Sequence, residues 1–450
     1  MEKEVVIIGG SDLGISTALR IRELNKNIKP LVITNNNFPN FSICGIPFYI
    51  SGEVKCWQNL AHRKEDDIRN KGIELLLNTE VTNINHQEKY ILIKEKDKKD
   101  NRKKIFYNKL VLGTGGKNII PKIEGLGLPG VFFMRWMEDA INFNRYLESN
   151  KVKDALIIGG GYVGLEMAEA LVKRGLNVTI VEFFDNVLTT VNRNFRDMVK
   201  NELEKNGVKV ITSTAVKKIE KEGDKLIVTG NNSLKEKVDT IAASVGTEAN
   251  TKLGKDIGLK RGIKGAYKVN RKMQTSIEDI YAGGDCAETL NNITDKYTYY
   301  ALGTVAHKHG RIIGDNICGL DKEFAGVIGT QSIKLFDLVI ARTGLSEEEA
   351  VKNGFNVKTK LLESWDHKVY YPPVYKMYTE VIIDSDSRRI LGAQIMGNKN
   401  AEIAKRIDIF AAAIFNKMKT NDFNQLDLSY TPPLSSPWDP VQMAVQEIEK

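Results

Sequence analysis

The chain is poor in cysteine, and the few it has are scattered. Cys44, Cys56, Cys286 and Cys318 form no C-x-x-C pair, which excludes the spacing of a structural zinc site and of a small secreted disulfide scaffold. No apolar stretch approaches the ~18 residues of a membrane span. The opening Met1-Glu2-Lys3-Glu4 runs directly into a strand-like segment and lacks the pattern of a signal peptide. A cytoplasmic protein with no membrane partner and no bound metal is expected. Charge of one sign is also modest: 65 Lys+Arg against 57 Asp+Glu leave +8 over 450 residues, a balance that suits small anionic ligands. The densest charge run, Lys94 to Lys104, mixes both signs between the strand-like runs beginning at Tyr90 and Lys104. It reads as a solvated hairpin, and no nucleic-acid partner is expected. With 42% hydrophobic and 27% charged residues, the chain is an ordinary globular protein of two to four domains.

What is present is said twice. Val5-Val-Ile-Ile-Gly-Gly-Ser-Asp-Leu-Gly14 and Ala155-Leu-Ile-Ile-Gly-Gly-Gly-Tyr-Val-Gly164 are identical at five of ten positions. Each is an apolar run of strand length, a glycine turn, then a helical pattern. That is the dinucleotide-binding arrangement, in which backbone N–H groups meet a pyrophosphate at the positive end of a helix. The second copy is complete: Gly159, Gly161 and Gly164 are correctly spaced, and Glu182 ends the next strand. An acid there accepts bonds from a ribose 2′-hydroxyl and repels a 2′-phosphate, which favours NADH over NADPH. The first copy departs from the pattern. Gly9, Gly10 and Gly14 are kept, but Ser11 replaces the middle glycine, Asp12 adds a negative charge, and Thr34 stands where the acid belongs. Ser11 can donate to phosphate, Asp12 must point away or meet a cation, and Asn35 or Asn36 is left for the ribose.

Cys44 lies 30 residues past Gly14, in Asn40-Phe-Ser-Ile-Cys-Gly-Ile-Pro-Phe-Tyr49, and should sit near whatever the first unit binds. A lone cysteine is most often buried and inert. A single thiol can also form a mixed disulfide or a sulfenic acid and accept electrons from a flavin. Gly45 and Pro47 fit a chain turning into a helix just after Cys44, whose N-terminus would lower the thiol pKa. Two more segments, Leu110-Val-Leu-Gly-Thr-Gly-Gly116 and Ile280-Tyr-Ala-Gly-Gly-Asp-Cys-Ala287, end strands in glycine turns and bracket the second unit. A second domain inserted into the first would produce this order.

Together these motifs resemble the pyridine nucleotide–disulfide oxidoreductase superfamily. The resemblance is to its single-cysteine branch of coenzyme A-disulfide reductases, NADH oxidases and NADH peroxidases. It spans the whole chain and includes Phe41 to Tyr49, Gly159 to Glu169, Val245 to Asn250, Gly283-Gly-Asp285 and Ser429 to Ser436. It implies an α/β fold of two nested Rossmann-like dinucleotide-binding domains plus a C-terminal α+β dimerisation domain. Residues 1–113 and 247–325 would bind FAD, 114–246 would bind NAD(P)H, and 326–450 would pair two copies.

By the same resemblance FAD is held by Gly9, Gly10, Ser11, Gly14, Thr114, Gly115 and Asp285. NADH, with NADPH also possible, is held by Gly159, Gly161, Gly164 and Glu182. Tyr162 is the aromatic beside the flavin that moves aside for nicotinamide, and Glu166 lies near the nicotinamide end. Tyr430 and Tyr371 would cross a homodimer interface towards the partner's redox cysteine, Tyr371 less securely because Tyr370 adjoins it. In two-cysteine relatives a second thiol follows five residues after the first, where this chain has Tyr49. The implied activity passes electrons from NAD(P)H through flavin and Cys44 to a small disulfide, as in coenzyme A-disulfide reductases. The alternatives are an NADH oxidase or peroxidase cycling through sulfenic acid, a persulfide or polysulfide reductase, and a non-catalytic flavin redox sensor. Three departures bear on the acceptor: Asp12 replaces the first-turn histidine of peroxidases, Ile43 replaces the asparagine usual before the cysteine, and no rhodanese-like extension follows Lys450.

Overall fold

The computed structural model describes residues 2–96 and 102–450. Three sheets organise it. In the first, the strand Glu2–Ile8 lies between Leu31–Ile33 and Arg102–Leu112, parallel to both, and Glu74–Leu76 extends the sheet beyond Leu31–Ile33. Val5 to Ile8 and Leu110 to Leu112 are buried, as central strands covered on both faces must be. Arg102–Leu112 is long enough to serve two neighbours. Its start pairs antiparallel with Tyr90–Glu95, and its end pairs parallel with the late strand Ile280–Ala282. The expected hairpin is thus present at its base, while its tip, residues 97–101, lies outside the described residues.

The second sheet is wholly parallel, in the order Lys209–Ile211, Asn177–Val181, Asp154–Ile158, Thr240–Ala243, Val131–Phe133. The chain therefore leaves the first sheet after Leu112, builds the second, and returns at Ile280 to complete the first. This is the nesting that the order of glycine motifs predicts. The third sheet is antiparallel, with Gln331–Leu335, Leu338–Gly344, Ile390–Asn398, Lys376–Asp384 and Val357–Trp365 side by side. The helices Ile403–Phe415 and Pro440–Glu449 contribute Ile407, Phe410, Val441 and Val445 to the core with it.

Two packing contacts position the site. The helix Asp12–Leu24, which follows the first turn, lies against Gly303–Ile317. A Cβ at Gly310 would sit 2.7 Å from the Leu13 carbonyl oxygen, so the approach requires glycine there. The short helix Ile46–Ile50, just after Cys44, buries Ile46, Tyr49 and Ile50 in the core that also holds Leu165, Ala168 and Phe143 of the second unit. Cys44 is thereby carried from the first unit to the boundary with the second.

Candidate functional site

Each glycine turn closes where its parallel sheet ends. In the first, Gly9 has φ +118°, and an added Cβ would lie 2.0 Å from the Gly113 carbonyl oxygen. At Gly14 it would lie 1.9 Å from the Gly9 carbonyl oxygen. These turns admit backbone only, which is the requirement for a cradle that brings N–H groups to phosphate. Gly9, Gly10, Ser11, Thr34, Asn35, Asn36, Thr114, Gly115 and Asp285 all line one cleft of about 1670 Å³. Its size and its backbone-lined wall fit a bound dinucleotide. Asp12 meets an imidazole: His307 Nε2 stands 3.4 Å from its Oδ1, and His307 Nδ1 lies 2.7 Å from Ser16 Oγ. The Asp12 contact raises the His307 pKa against the opposing effect of burial. An imidazole thus reaches the first turn from a helix almost 300 residues away, a proximity no local motif announces.

Asp285 is paired as well. Arg135 Nη2 donates to its carboxylate at 2.9 Å, while Nε and Nη1 reach the Gly116 carbonyl and Thr247 Oγ1 at 3.1 Å each. Burial pushes the Asp285 pKa up and Arg135 opposes it. His309 shapes the same turn. It is fully buried, accepts from the Gly284 N–H at 3.2 Å, and its other nitrogen lies 3.2 Å from Thr289 Oγ1. Thr114 spends its hydroxyl on the Asn250 carbonyl at 2.6 Å. Arg135, His307 and His309 all escaped the sequence reading, because their partners are remote in the chain.

The second turn repeats the first in backbone. Gly159 has φ +105°, and Cβ atoms at Gly159 and Gly164 would meet carbonyl oxygens at 2.4 and 2.0 Å. At Gly161 a Cβ would meet nothing within 4 Å, which accounts for Ser11 being tolerated at the matching place in the first copy. Glu182 is almost buried, and its carboxylate accepts from the Gly160 N–H at 2.5 Å and the Phe184 N–H at 2.9 Å. It is fixed to the turn, with lone pairs to spare. Tyr162 and Glu166, on the helix Tyr162–Lys173, line the large cleft together with Cys44.

Cys44 lies in a single tight turn, Ile43–Gly45, that leads into the helix Ile46–Ile50 with Pro47 in its first turn. Phe38, Phe41 and Trp57 cluster next to this segment, with Phe38 meeting the other two rings edge-on. Of the four cysteines only Cys44 lines the cleft. Cys56 is exposed elsewhere, Cys318 is half-buried, and Cys286 is sealed in the core, where its Sγ lies 3.2 Å from the Leu112 and Gly283 carbonyls. Tyr49, at the place of a second redox thiol, is buried and accepts from Asn144 Nδ2 at 3.2 Å. The expected lowering of the Cys44 pKa is not found. Its sulfur is open to the cleft, yet protein surrounds it closely enough for burial to push the thiol up, and Glu166, Asp12 and Asp285 add to the effect. A five-residue helix offers too little dipole to oppose three carboxylates.

The tyrosines lie apart. Neither Tyr430 nor Tyr371 lines the cleft that holds Cys44 of the same chain; both are exposed, and Tyr370 more so at 72%. The Tyr370 phenol is raised by desolvation and by the Tyr430 hydroxyl against it. The Tyr371 carbonyl is instead taken by His367 Nε2 at 2.7 Å. Buried Arg406 organises both loops, donating to the Asp366 and Leu434 carbonyls at 2.7 and 3.1 Å.

Residues 3–310 match the family model described as pyridine nucleotide-disulphide oxidoreductase, and residues 330–440 match the dimerisation domain of the same family. Among curated relatives, the chain is 36% identical to a CoA-dependent NAD(P)H sulfur oxidoreductase of Pyrococcus furiosus over 442 residues, 98% of either chain. It is 35% identical to an NADH oxidase of Methanocaldococcus jannaschii over 447 residues, 99% of this chain and 98% of the other. Among solved structures, an NAD-dependent persulfide reductase from A. fulgidus superposes with a TM-score of 0.95 at 35% identity, covering 100% of this chain and 83% of that one. Among the described residues no helix is long and apolar enough to cross a membrane.

Proposed function

The chain belongs to the pyridine nucleotide-disulphide oxidoreductases, enzymes that use FAD and NAD(P)H, and on that premise we propose that it reduces a small disulfide of the coenzyme A type through a single redox thiol, Cys44. The observation that carries this reading is the cleft: the first glycine turn, Asp285, Tyr162, Glu166 and one cysteine all line it. In this reading the first unit, 1–113 with 247–325, holds FAD through Gly9, Gly10, Ser11, Gly14, Thr114, Gly115 and Asp285. The second unit, 114–246, holds NADH through Gly159, Gly161, Gly164 and Glu182, whose charge disfavours a 2′-phosphate. Tyr162 shields the inner cleft, and Glu166 stands beside it.

When bound, the flavin supplies the two-electron chemistry, taking hydride from the nicotinamide and delivering an electron pair to sulfur. Cys44 supplies the sulfur. Held as a mixed disulfide with a small thiol, it accepts the pair, the S–S bond breaks, and the thiol leaves. The Cys44 thiolate then attacks the next disulfide, which restores the mixed disulfide and expels a second thiolate. Per cycle, one disulfide, one NADH and one proton become two thiols and NAD⁺. Residues 326–450 pair two copies, so that Tyr430, with Tyr371 or the more exposed Tyr370, faces the partner's Cys44. Four free cysteines suit a reducing, cytoplasmic setting.

A second reading comes from the relatives. An NADH oxidase is 35% identical over nearly the whole chain, so oxygen or peroxide reduction through a Cys44 sulfenic acid is the alternative; His307 reaches Asp12 at the first turn but is not among the residues that line the cleft with Cys44. The intact mass of the oxidised protein, taken under denaturing, non-reducing conditions, decides between them. Added coenzyme A or a shorter thiol supports the disulfide reading, one added oxygen supports the sulfenic acid, and an unmodified Cys44 after oxidation defeats both.

A further inference from the structure

Asp12 is a carboxylate at a turn shaped for another anion. It is the first residue of the helix Asp12–Leu24, directly after Ser11, and it lines the cleft with Gly9, Gly10 and Ser11. A second helix, Gly303–Ile317, begins at the same point: a Cβ on Gly303 would stand 3.2 Å from Asp12 Oδ2. The positive ends of two helices, 13 and 15 residues long, thus meet at one carboxylate. That suits Asp12 while it is the only anion there. A diphosphate on the N–H groups of the same turn would be a second, and like charges sharing one turn repel.

The charge of Asp12 is answered from far along the chain. Its Oδ1 is shut off from solvent and accepts no hydrogen bond from any described residue. Among the described residues the one base paired with Asp12 is His307, whose Nε2 stands 3.4 Å from that oxygen. The other side of the ring is fixed too, with Nδ1 2.7 Å from Ser16 Oγ. The imidazole therefore bridges two side chains one helical turn apart on the helix that follows the glycine turn. A doubly protonated ring is satisfied in this seat, because the Ser16 hydroxyl can accept as well as donate. Asp12 raises the His307 pKa, while burial and the Arg63 guanidinium oppose it. His307 does not itself line the cleft, so its influence on a ligand there runs through Asp12.

We propose that His307 sets how tightly the first turn holds its cofactor: as an imidazolium it cancels the charge of Asp12, so that the turn accepts the diphosphate of FAD as a second anion. This rests on the reading of the first turn as the FAD cradle. It accounts for an acid being tolerated at the place where the second turn has uncharged Tyr162. It also makes the cost of losing His307 depend on Asp12. Without the imidazole, a bare carboxylate opposes the diphosphate. With both groups replaced by neutral amides, no charge is left to oppose it, and affinity returns.

The test is equilibrium release of FAD on serial dilution of the holoenzyme at neutral pH, read by the recovery of free-flavin fluorescence. His307→Gln should weaken FAD retention by about tenfold or more, the size expected of an uncompensated charge at a partly buried site. In the Asp12→Asn background the same change should cost less than about threefold, whereas a merely structural role for the ring would cost the same in both. A result outside either limit overturns the proposal. If His307→Gln does not fold, as circular dichroism would show, His307→Asn is measured under the same limits. Gly9→Ala separates the two levels. FAD retained by Gly9→Ala removes the assignment of this turn to flavin, and the proposal with it. FAD lost from Gly9→Ala, beside a His307→Gln loss below tenfold, removes only the charge role of His307.

Discussion

Gly9 and Gly159 hold matching places in the two turns, with φ of +118° and +105°. The contacts that forbid a Cβ at Gly14 and Gly164 agree within 0.1 Å, at 1.9 and 2.0 Å. Around this common backbone the charges differ. The second turn is tied to Glu182 through the Gly160 N–H, whereas at the matching place the first turn has Thr34, whose hydroxyl turns to Asn36 at 3.3 Å. The first carries Asp12, with His307 against it; the second carries Tyr162. The backbone geometry is therefore common to both turns, and the side chains around them set the two apart. Cys44 is attached to the first unit in sequence, and the helix Ile46–Ile50 that follows it packs against the second, so the thiol opens into a cleft lined by the first turn and by Tyr162 and Glu166.

The largest expected effect breaks the cradles one at a time. Gly9→Ala forces a Cβ to 2.0 Å from the Gly113 carbonyl oxygen at a φ that side chains avoid, a strain of roughly 4 kcal/mol or more. It should yield protein without flavin. Gly159→Ala meets the Ser244 carbonyl oxygen at 2.4 Å and should keep flavin while losing reduction by NADH. If both variants lose the same ligand, the assignment of one cradle to each cofactor is wrong. Glu182→Ala comes next. Hydrogen bonds to a charged acceptor contribute about 1.5–3 kcal/mol, so NADH affinity should fall by roughly 10- to 100-fold with flavin content unchanged, as equilibrium binding would show.

Acid separates the two units further. Burial pushes His309, beneath the Asp285 turn, down to about 3 from an ordinary 6.5. A His held neutral in the folded state stabilises it fully above pH 6.5, and that contribution is lost progressively as pH falls from 6.5 towards 3, because the unfolded chain takes up the proton first. By pH 5 the loss is about 2 kcal/mol. Flavin release should therefore steepen below pH 6.5, and His309→Gln should flatten the slope in a denaturant titration series. A slope that His309→Gln leaves unchanged would show that the histidine does not bear on stability. The smallest effect is expected at the middle positions. Because a Cβ at Gly161 meets nothing within 4 Å, Gly161→Ser should change stability by less than about 0.5 kcal/mol. Any cost should appear only in the KM for NADH, since the ligand alone needs that space.

The two turns and the bracketing glycine strands were legible because each is written in contiguous residues, whereas the C-terminal unit was expected as α+β on the resemblance alone and its antiparallel sheet is a finding of the structure. What escaped depends on residues brought together from far apart. Nothing near Asp12 indicates that His307 will reach it, and nothing near Asp285 indicates Arg135. The direction of the Cys44 shift was misjudged for the same reason. The local turn suggests a helix dipole, whereas burial first, and then Glu166, Asp12 and Asp285 from three other segments, push the thiol up. Tyr370 and Tyr371 are adjacent in sequence and both exposed, and only their contacts tell them apart. His367 takes the Tyr371 carbonyl, and the Tyr370 phenol is left facing Tyr430.

The central claim is that electrons leave through one thiol, Cys44, in the cleft that the first turn shares with Tyr162 and Glu166. Anaerobic turnover of Cys44→Ser and Cys56→Ser with NADH and coenzyme A disulfide tests it most directly. The account predicts that Cys44→Ser keeps its flavin and lets NADH reduce it, yet passes nothing to disulfide. It predicts that Cys56→Ser, absent from the cleft wall, loses less than about tenfold, roughly 1.4 kcal/mol in barrier. Sustained disulfide reduction by Cys44→Ser, or a loss at Cys56→Ser equal to that at Cys44, would contradict it.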